Sequence, residues 1–412
     1  MHRHAPRPPA RVGTHALVRT AALLLVGRGL LAQTAPAPAP TAPVVSVNGH
    51  VQLDMIGDFD RIDPAWTGAL RPTRIPVVCP GDAGCGPAGE TTLSVRASRL
   101  NVVGAIPTSL GVLNTRIEFD LFGTATDAGR TTFRFRHAWG ELGSVGAGQT
   151  NSLFMDGDAF PAGIEYWGPA GIIAIRTAQL RWTPIRRRGA TLALSMESPT
   201  SSIDVGRAFA ADDTLGLRRR TLTPDFHVQW RLMRDWGHVQ LSGVLTETGF
   251  ESSTSADGRP TVRRTGGGVS ASTRVRLAPH GTLVAQATTG RGIAGYLNDG
   301  GVDLAPAGDP PLRPRLVPTR AFSVYWEQRL APAFLLSIGG SENRQYPSAL
   351  QDEDALRVGR YGTVDLHWTP DPALLFGISL QHATRRTNEV GEAGATRLQL
   401  SARWSFDSRT PR

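Results

Sequence analysis

The chain has 412 residues, with 44 Lys and Arg against 35 Asp and Glu, and a formal net charge of +9. Five of the arginines and no acidic residue precede Ala32, so the rest of the chain carries 39 basic and 35 acidic residues, a charge of only +4. This near balance argues against nucleic-acid binding, which requires a basic cluster on one face. A mean hydropathy of −0.17 is too polar for a protein built from transmembrane helices.

Residues 1–32 have the pattern of a secretory signal peptide. Several arginines precede the apolar run Ala21 to Val26, and Leu30-Leu31-Ala32 before Gln33 provides a cleavage site. An uncleaved membrane anchor and a disordered arm are the alternatives, since Arg28 interrupts the apolar stretch. Residues 33–44 are rich in proline and alanine and are predicted to form an extended linker.

From residue 45 to residue 406 the chain divides into about sixteen segments in which apolar and polar residues alternate. In Thr363 to Trp368 and in Asp225 to Met233, every second residue is apolar and the residues between are polar or charged. Alternation with period two places the two kinds of side chain on opposite faces of a strand. Each segment is therefore predicted to be a strand between two different solvents.

The connections between these segments are alternately long and short. Long ones span residues 58–89, 150–170, 198–224 and 290–319, and short ones span 234–236, 279–281 and 331–332. A soluble two-sheet protein would show the same alternation along its strands, but outer-membrane barrels combine short periplasmic turns with long external loops. We therefore predict an all-β fold, a single transmembrane antiparallel β-barrel of about sixteen strands over residues 45–406, with a short polar tail at 407–412.

Two cysteines, Cys79 and Cys85, lie close together in the first long connection, on either side of a Pro-Gly turn. In an oxidising compartment such a pair favours a disulfide. Free thiols and a metal site are the alternatives. A zinc site needs two further ligands, and no other cysteine or histidine lies nearby, so no metal is expected.

Several short motifs resemble the DcaP-like family of Gram-negative outer-membrane porins. They are Gly49–Asp54, Ser98–Leu100, Ile117–Gly123, Phe135–Trp139, Gly148–Asp156, Gly168–Pro169 and Gln179–Pro184. The resemblance implies a homotrimer of sixteen-stranded barrels surrounded by outer-membrane lipid. It also implies a channel in the bacterial outer membrane for small anionic solutes such as dicarboxylates.

Arginines alternate with apolar residues along several predicted strands. If the apolar residue faces lipid, the arginine faces the lumen, where a guanidinium group attracts and orients carboxylates. The alternative is that these arginines form structural ion pairs with the lumen acids Glu118, Asp120, Glu197 and Asp365. The predicted pore-lining basic residues are Arg116, Arg134, Arg136, Arg181, Arg231, Arg274 and Arg276.

The long connection after the fifth strand is predicted to fold into the barrel and narrow the channel. An external loop stabilised by Asx-type turns is the alternative. Its acids Asp156 and Asp158 are expected to oppose Arg134, Arg136 and Arg181 and to create a transverse field. The candidate constriction residues are Asp156, Asp158, Glu165, Tyr166 and Trp167.

Motifs of enzymes are missing from the sequence. It contains no GxSxG, no HExxH and no P-loop, and no cysteine is positioned as a nucleophile beside a histidine. We therefore expect a porin that is not an enzyme and has no cofactor. An outer-membrane barrel hydrolase and a soluble β-rich binding protein are the alternative functions.

Overall fold

A computed structural model of the chain describes residues 40–79, 85–165, 167–204, 206–207, 218–251, 262–307 and 314–409. The predicted signal peptide, residues 1–32, lies outside these ranges, as do most of the linker and the end of the tail. The first strand begins at Val44 and the last ends at Asp407, within one residue of the predicted limits of the barrel.

The described residues form twenty strands. They are β1 (Val44–Asp58), β2 (Glu90–Ser94), β3 (Arg99–Thr108), β4 (Gly111–Phe122), β5 (Thr131–Leu142), β6 (Val145–Asn151), β7 (Arg176–Arg187), β8 (Ala190–Glu197), β9 (Arg218–Arg219), β10 (Asp225–Arg234), β11 (Gly237–Glu251), β12 (Val262–Ala278), β13 (Gly281–Arg291), β14 (Leu304–Pro306), β15 (Pro314–Leu316), β16 (Pro318–Ala331), β17 (Phe334–Gln345), β18 (Leu356–Asp371), β19 (Leu374–Thr387) and β20 (Glu392–Asp407).

The barrel is closed and antiparallel, and it has sixteen strand positions around its circumference. The first half of β1 pairs with β3 and its second half pairs with β2, so these two short strands share one position. Each later strand of the barrel pairs with the next barrel strand along the chain, β8 with β10 and β13 with β16 included. The last strand, β20, closes the barrel against β1 from Asn48 to Asp58. The remaining strands lie in loops, where β9 extends the edge of β11 and β14 pairs with β15. The predicted fold and strand number are confirmed.

The barrel has a polar interior and an apolar exterior, the reverse of a soluble protein. Along β18 the side chains of Thr363 and Asp365 are buried, whereas Val364 and Trp368 are 41% and 44% exposed. The same alternation continues on β19, where Gln381 is buried and Leu380 is 52% exposed. Exposed apolar side chains around the whole circumference are stable only against lipid.

Short turns join the strands at one end of the barrel. Arg188 and Gly189, which link β7 to β8, both have positive φ values of +50° and +72°. This is the backbone of a type I′ turn, whose twist matches that of the flanking strands. Only two residues separate β10 from β11, β12 from β13, and β18 from β19. This end is therefore the periplasmic one, and the long connections emerge at the external end.

The long connections contain five single-turn 3-10 helices among the described residues: Pro64–Trp66, Pro72–Arg74, Ala125–Asp127, Gly157–Ala159 and Ala294–Tyr296. None of the helices in the described ranges is long and apolar enough to cross a membrane.

Apolar residues of these connections pack into small cores inside the barrel. One core joins Phe154 and Ile173 of the connection after β6 with Tyr296 of the connection after β13 and Val244 of the wall. A second joins Leu70 and Ile75 of the first connection to the inward side of Tyr361. The external half of the lumen is thus largely filled by the protein's own loops.

Candidate functional site: the barrel interior

The segment between β6 and β7, residues 152–175, crosses the interior of the barrel. We call it the inner loop. Near its start, the Asp156 carboxylate accepts hydrogen bonds from His238 Nε2 at 2.7 Å, Ser272 Oγ at 2.7 Å and Arg231 Nη1 at 2.9 Å. These donors lie on three adjacent strands, β10 to β12. Burial raises the pKa of Asp156, but these hydrogen bonds and positive charges outweigh it and bring the pKa to about 2.

The middle of the inner loop reaches β16 and β18, farther around the barrel. Ala162 N donates to Glu327 Oε1 on β16 at 2.8 Å, and Ile164 N donates to Asp365 Oδ1 on β18 at 3.2 Å. Carboxylates from the wall therefore hold the loop by its backbone, which would otherwise bury unpaired N–H groups.

Glu165 stabilises the next turn of the same loop. Its carboxylate oxygens accept hydrogen bonds from Trp167 N and Gly168 N, both at 2.6 Å. Burial, with a smaller contribution from the negative charge of Asp365, raises the pKa of Glu165 to about 7 despite those two bonds and the charge of Arg397. The charge of Glu165 therefore changes near neutral pH.

Trp167 packs among other aromatic rings. Its ring centroid lies 5.5 Å from that of Trp66 and 5.4 Å from that of Phe122. The Arg134 guanidinium carbon lies 4.9 Å from the Trp167 centroid, a cation–π contact between the wall and the inner loop. Trp167 thus serves to hold the loop in place.

Two of the predicted pore arginines, Arg134 and Arg136, form ion pairs with acidic residues of β4. Arg134 Nε lies 3.0 Å from Asp120 Oδ1, and Arg136 contacts both Glu118 Oε1 at 2.5 Å and Asp120 Oδ2 at 2.9 Å. The Arg136 side chain is only 6% exposed. We call these four residues of β4 and β5 the neutralised wall, because each of the two arginines contacts a carboxylate. Arg99 and Arg116 also contact Glu118.

The opposite side of the lumen differs. Arg274 forms a bidentate pair with Glu327, at 2.6 and 2.8 Å, and also donates to the carbonyl oxygens of Asp158 and Phe160 in the inner loop. Arg276 and Arg329 have no carboxylate partner among the described residues. We call Arg274, Arg276, Arg329 and Glu327 the cationic wall.

A cavity of about 430 Å³ opens beside the cationic wall, toward the periplasmic end. The four residues of that wall line it, together with His280 and with Ala162 of the inner loop. Three arginines and one glutamate leave a surplus of two positive charges in this cavity.

The other three predicted arginines, Arg116, Arg181 and Arg231, have hydrogen-bond partners but belong to neither wall. Arg116 bonds Glu118 and Asn101 and is 41% exposed. Arg181 donates to Gln179 Oε1 at 2.8 Å and to Asn151 O at 2.7 Å, and lies over the Trp139 ring. Arg231 is paired with both Asp156 and Asp158.

Asp156 and Asp158 make no ion pair with Arg134, Arg136 or Arg181, and their predicted opposition across the lumen stays a prediction. Both acids pair with Arg231, because the inner loop starts along β10 to β12. Arg134 and Arg136 are held by the acids of β4, as the alternative interpretation proposed. Tyr166 lies outside the described residues.

Sequence reasoning missed four residues of the interior: His238, His280, Glu327 and Arg329. The alternation that selected Arg274 and Arg276 also applies to β16, where Tyr325, Glu327 and Arg329 share the inward face. That pattern could have identified two of the four.

Cys79 and Cys85 form a disulfide in the first long connection, with their Cα atoms 5.8 Å apart. Among the described residues, no group of three or more His, Cys, Asp and Glu side chains has a metal-binding arrangement.

Comparison with known proteins shows which family the chain resembles. The model of the DcaP outer membrane protein family matches residues 51–248. Over these residues, just under half of the chain, the sequence is similar to that family. The outer membrane channel DcaP of Acinetobacter baumannii has a similar structure, with 18% identity, a TM-score of 0.75, and coverage of 89% of this chain and 98% of that one. No curated protein matches the chain.

Two other porins share the fold at lower similarity. The anion-selective porin from Comamonas acidovorans is 13% identical, with a TM-score of 0.52 over 88% of this chain and all of that one. The trimer form of OmpT from Vibrio cholerae is 11% identical, with a TM-score of 0.54 over 89% of this chain and all of that one. The DcaP match and the closed barrel together make this protein a porin of the bacterial outer membrane.

Proposed function

We propose that this porin is an anion-preferring diffusion channel for small carboxylates, including dicarboxylates. The observation that carries the proposal is the surplus of positive charge in the cavity between the cationic wall and the inner loop.

The position of this surplus matters as much as its sign. The inner loop restricts the passage, so a solute must pass close to the cationic wall. At such short range, and beside protein rather than bulk water, fixed charges act strongly on a permeating ion. Two arginines without carboxylate partners also suit a solute with two carboxylates. Each guanidinium group can donate two hydrogen bonds to one carboxylate in a bidentate pair.

We also propose that the protein is a homotrimer and that residues 1–32 direct its export. Support for the trimer is the fold shared with OmpT of Vibrio cholerae, which is known in a trimer form. Support for export is the Arg-rich start followed by an apolar run and a small-residue cleavage site.

The experiment is a planar-bilayer recording of the purified protein in a gradient of potassium chloride. We expect a reversal potential that shows chloride permeating more readily than potassium. Equal permeabilities, or a preference for potassium, would overturn the proposal.

A flux measurement tests the substrate class separately. Proteoliposomes should take up succinate faster than succinamide, which has nearly the same size and shape but no charge. Equal rates for the two would show that the channel selects by size alone.

A further inference from the structure

The outward face of β16 to β20 carries an unusual group of charges at its external end. Arg320, Arg344, Arg360 and Arg386 occupy positions that alternate with buried inward residues, and so point away from the lumen. Glu342 and Glu392 share this face. Four arginines and two glutamates leave two positive charges in excess. We call these six residues the outer arginine patch.

One cross-strand pair within the patch is unfavourable for the protein alone, although Glu392 lies opposite Arg386 and 3.9 Å from Arg360. Arg320 and Arg344 are directly opposite each other on β16 and β17, and like charges in such a cross-strand pair repel. Arg344 and Arg360 both pair with Glu342, at 3.0 and 2.8 Å. Arg320 and Arg386 form no ion pair with any described residue. An anion bound beside Arg320 and Arg344 would relieve the repulsion between these two arginines.

The patch lies at the boundary of the lipid hydrocarbon. Arg360 is eight positions along β18 from Trp368, an exposed aromatic residue near the periplasmic turn. Eight residues extend about 27 Å along a strand, or about 20 Å along the axis of a barrel whose strands tilt by about 40°. The apolar band of such a barrel is about 25 Å tall, so the patch lies within about 5 Å of its outer edge. From there the long arginine side chains reach the headgroups of the outer leaflet.

An apolar groove lies directly below the patch. Gly340 and Gly362 are cross-strand partners on β17 and β18, and the missing side chains open a shallow groove of about 1020 Å³. Its apolar lining includes Val324, Ile338, Val364 and Leu380, all of them 41–52% exposed.

Charge and shape together point to one ligand. The arginines suit phosphate, which a guanidinium group binds bidentately, and the groove suits an acyl chain of the same molecule. Arg320 and Arg386 are three strands apart, about 14 Å at the usual strand spacing. We propose that the outer arginine patch and its groove bind a phosphorylated, acylated lipid of the outer leaflet, its phosphates on the arginines and an acyl chain along Gly340 and Gly362.

The test is native mass spectrometry of the full-length protein in detergent, titrated with diphosphoryl lipid A. We expect the wild type to retain the lipid, and the Arg320→Gln/Arg386→Gln double variant to bind it roughly tenfold more weakly. These two arginines hold no acid of the protein, so their replacement leaves no unpaired carboxylate.

Arg263→Gln is the matched control. Arg263 also lies at the external end of its strand, on β12, but its partner is Glu247, and β13 separates its strand from β16. Its replacement should leave lipid A binding unchanged. Equal weakening in this control and the double variant would show general charge attraction and would overturn the site.

Gly362→Leu tests the groove. A Cβ atom at this position meets only Gly339 O, at 3.8 Å, so the side chain is accommodated and fills the space. We expect weaker lipid A binding with an unchanged barrel. If this variant and the arginine variant instead dissociate an oligomer while lipid A binding persists, the face is an interface between copies of the chain and the proposal is wrong.

Discussion

The two sides of the lumen use arginine in opposite ways. In the neutralised wall, Arg134 and Arg136 face Asp120 and Glu118, and their side chains are largely buried. In the cationic wall, Arg276 and Arg329 face a cavity with no carboxylate partner among the described residues. The number of arginines on the inner face of a barrel therefore does not determine which ions it attracts.

The cross-strand neighbours explain the difference. Arg134 on β5 is the direct partner of Asp120 on β4. On β12, Arg274 and Arg276 are partners of Val284 and Thr282 on β13, which carry no charge. A direct acidic neighbour pairs with Arg134, whereas Arg276 has an uncharged neighbour and keeps its charge available to a solute. Arg274 also has an uncharged neighbour, but it reaches Glu327 on β16, two strands away.

The largest effect is expected from breaking the neutralised wall. Arg136→Gln leaves Glu118 and Asp120 partly unpaired and buried, which should lower the free energy of unfolding by about 3–5 kcal/mol. Urea titration of the barrel in detergent measures this. Arg276→Gln is the control and should change stability by less than about 0.5 kcal/mol. A similar loss in both variants would remove the distinction between the walls.

The inner loop between the walls should make stability depend on pH. The pKa of Glu165 is about 7 in the folded protein, above its usual value, so its contribution is complete at low pH and is lost as the pH rises through 7. Between pH 5 and pH 8 the loss should be on the order of 3 kcal/mol.

Glu165→Gln isolates this contribution. Asp303, in the connection after β13, has a pKa raised by burial to about 6 and acts in the same direction. Unfolding measured at both pH values should therefore show a smaller but nonzero pH dependence in the variant. An unchanged pH dependence would show that Glu165 is not the titrating group.

Selectivity should respond to the cationic wall alone. Arg276→Gln/Arg329→Gln should lower the ratio of chloride to potassium permeability roughly fivefold, the change expected when about 1 kcal/mol of attraction is removed. Reversal potentials measure the ratio. The matched double variant Arg134→Gln/Arg136→Gln should stay within about twofold in those channels that fold. The opposite ranking would assign selectivity to β5.

The smallest effect is expected from Arg116, which belongs to neither wall completely. Its partner Glu118 also contacts Arg99 and Arg136, so Arg116→Gln leaves that carboxylate paired. Because Arg116 is 41% exposed, we expect a stability loss below about 1 kcal/mol and little change in selectivity. A loss as large as that of Arg136→Gln would mean that exposure does not separate structural from functional arginines.

Strand periodicity predicted the barrel well, because lipid outside and water inside impose the same alternation on every strand. Segments such as Thr363 to Trp368 follow it without exception. The alternation of long and short connections also identified the loop after the fifth barrel position, and the structure shows residues of this loop bonded to β10, β11, β12, β16 and β18.

The partners of the interior charges could not be predicted in the same way. Asp156 bonds His238, 82 positions away, and Ile164 bonds Asp365, 201 positions away. Such pairs depend on the path of the loop, which has no periodicity. In the neutralised wall, a register shift between Glu118 and Phe119 also changes which residue of β5 each acid faces.

The closure of the barrel has a consequence for the time course of folding. Val47 N donates to Ser408 Oγ across 361 positions of sequence, and β1 pairs with β20 along eleven residues. Contacts of such long separation form slowly. Until β20 arrives, β1 keeps an open edge on which another chain could add. Maturation of this porin therefore waits on the last strand to be synthesised, and a chain cut short before β20 would have its first strand exposed and its lumen unsealed.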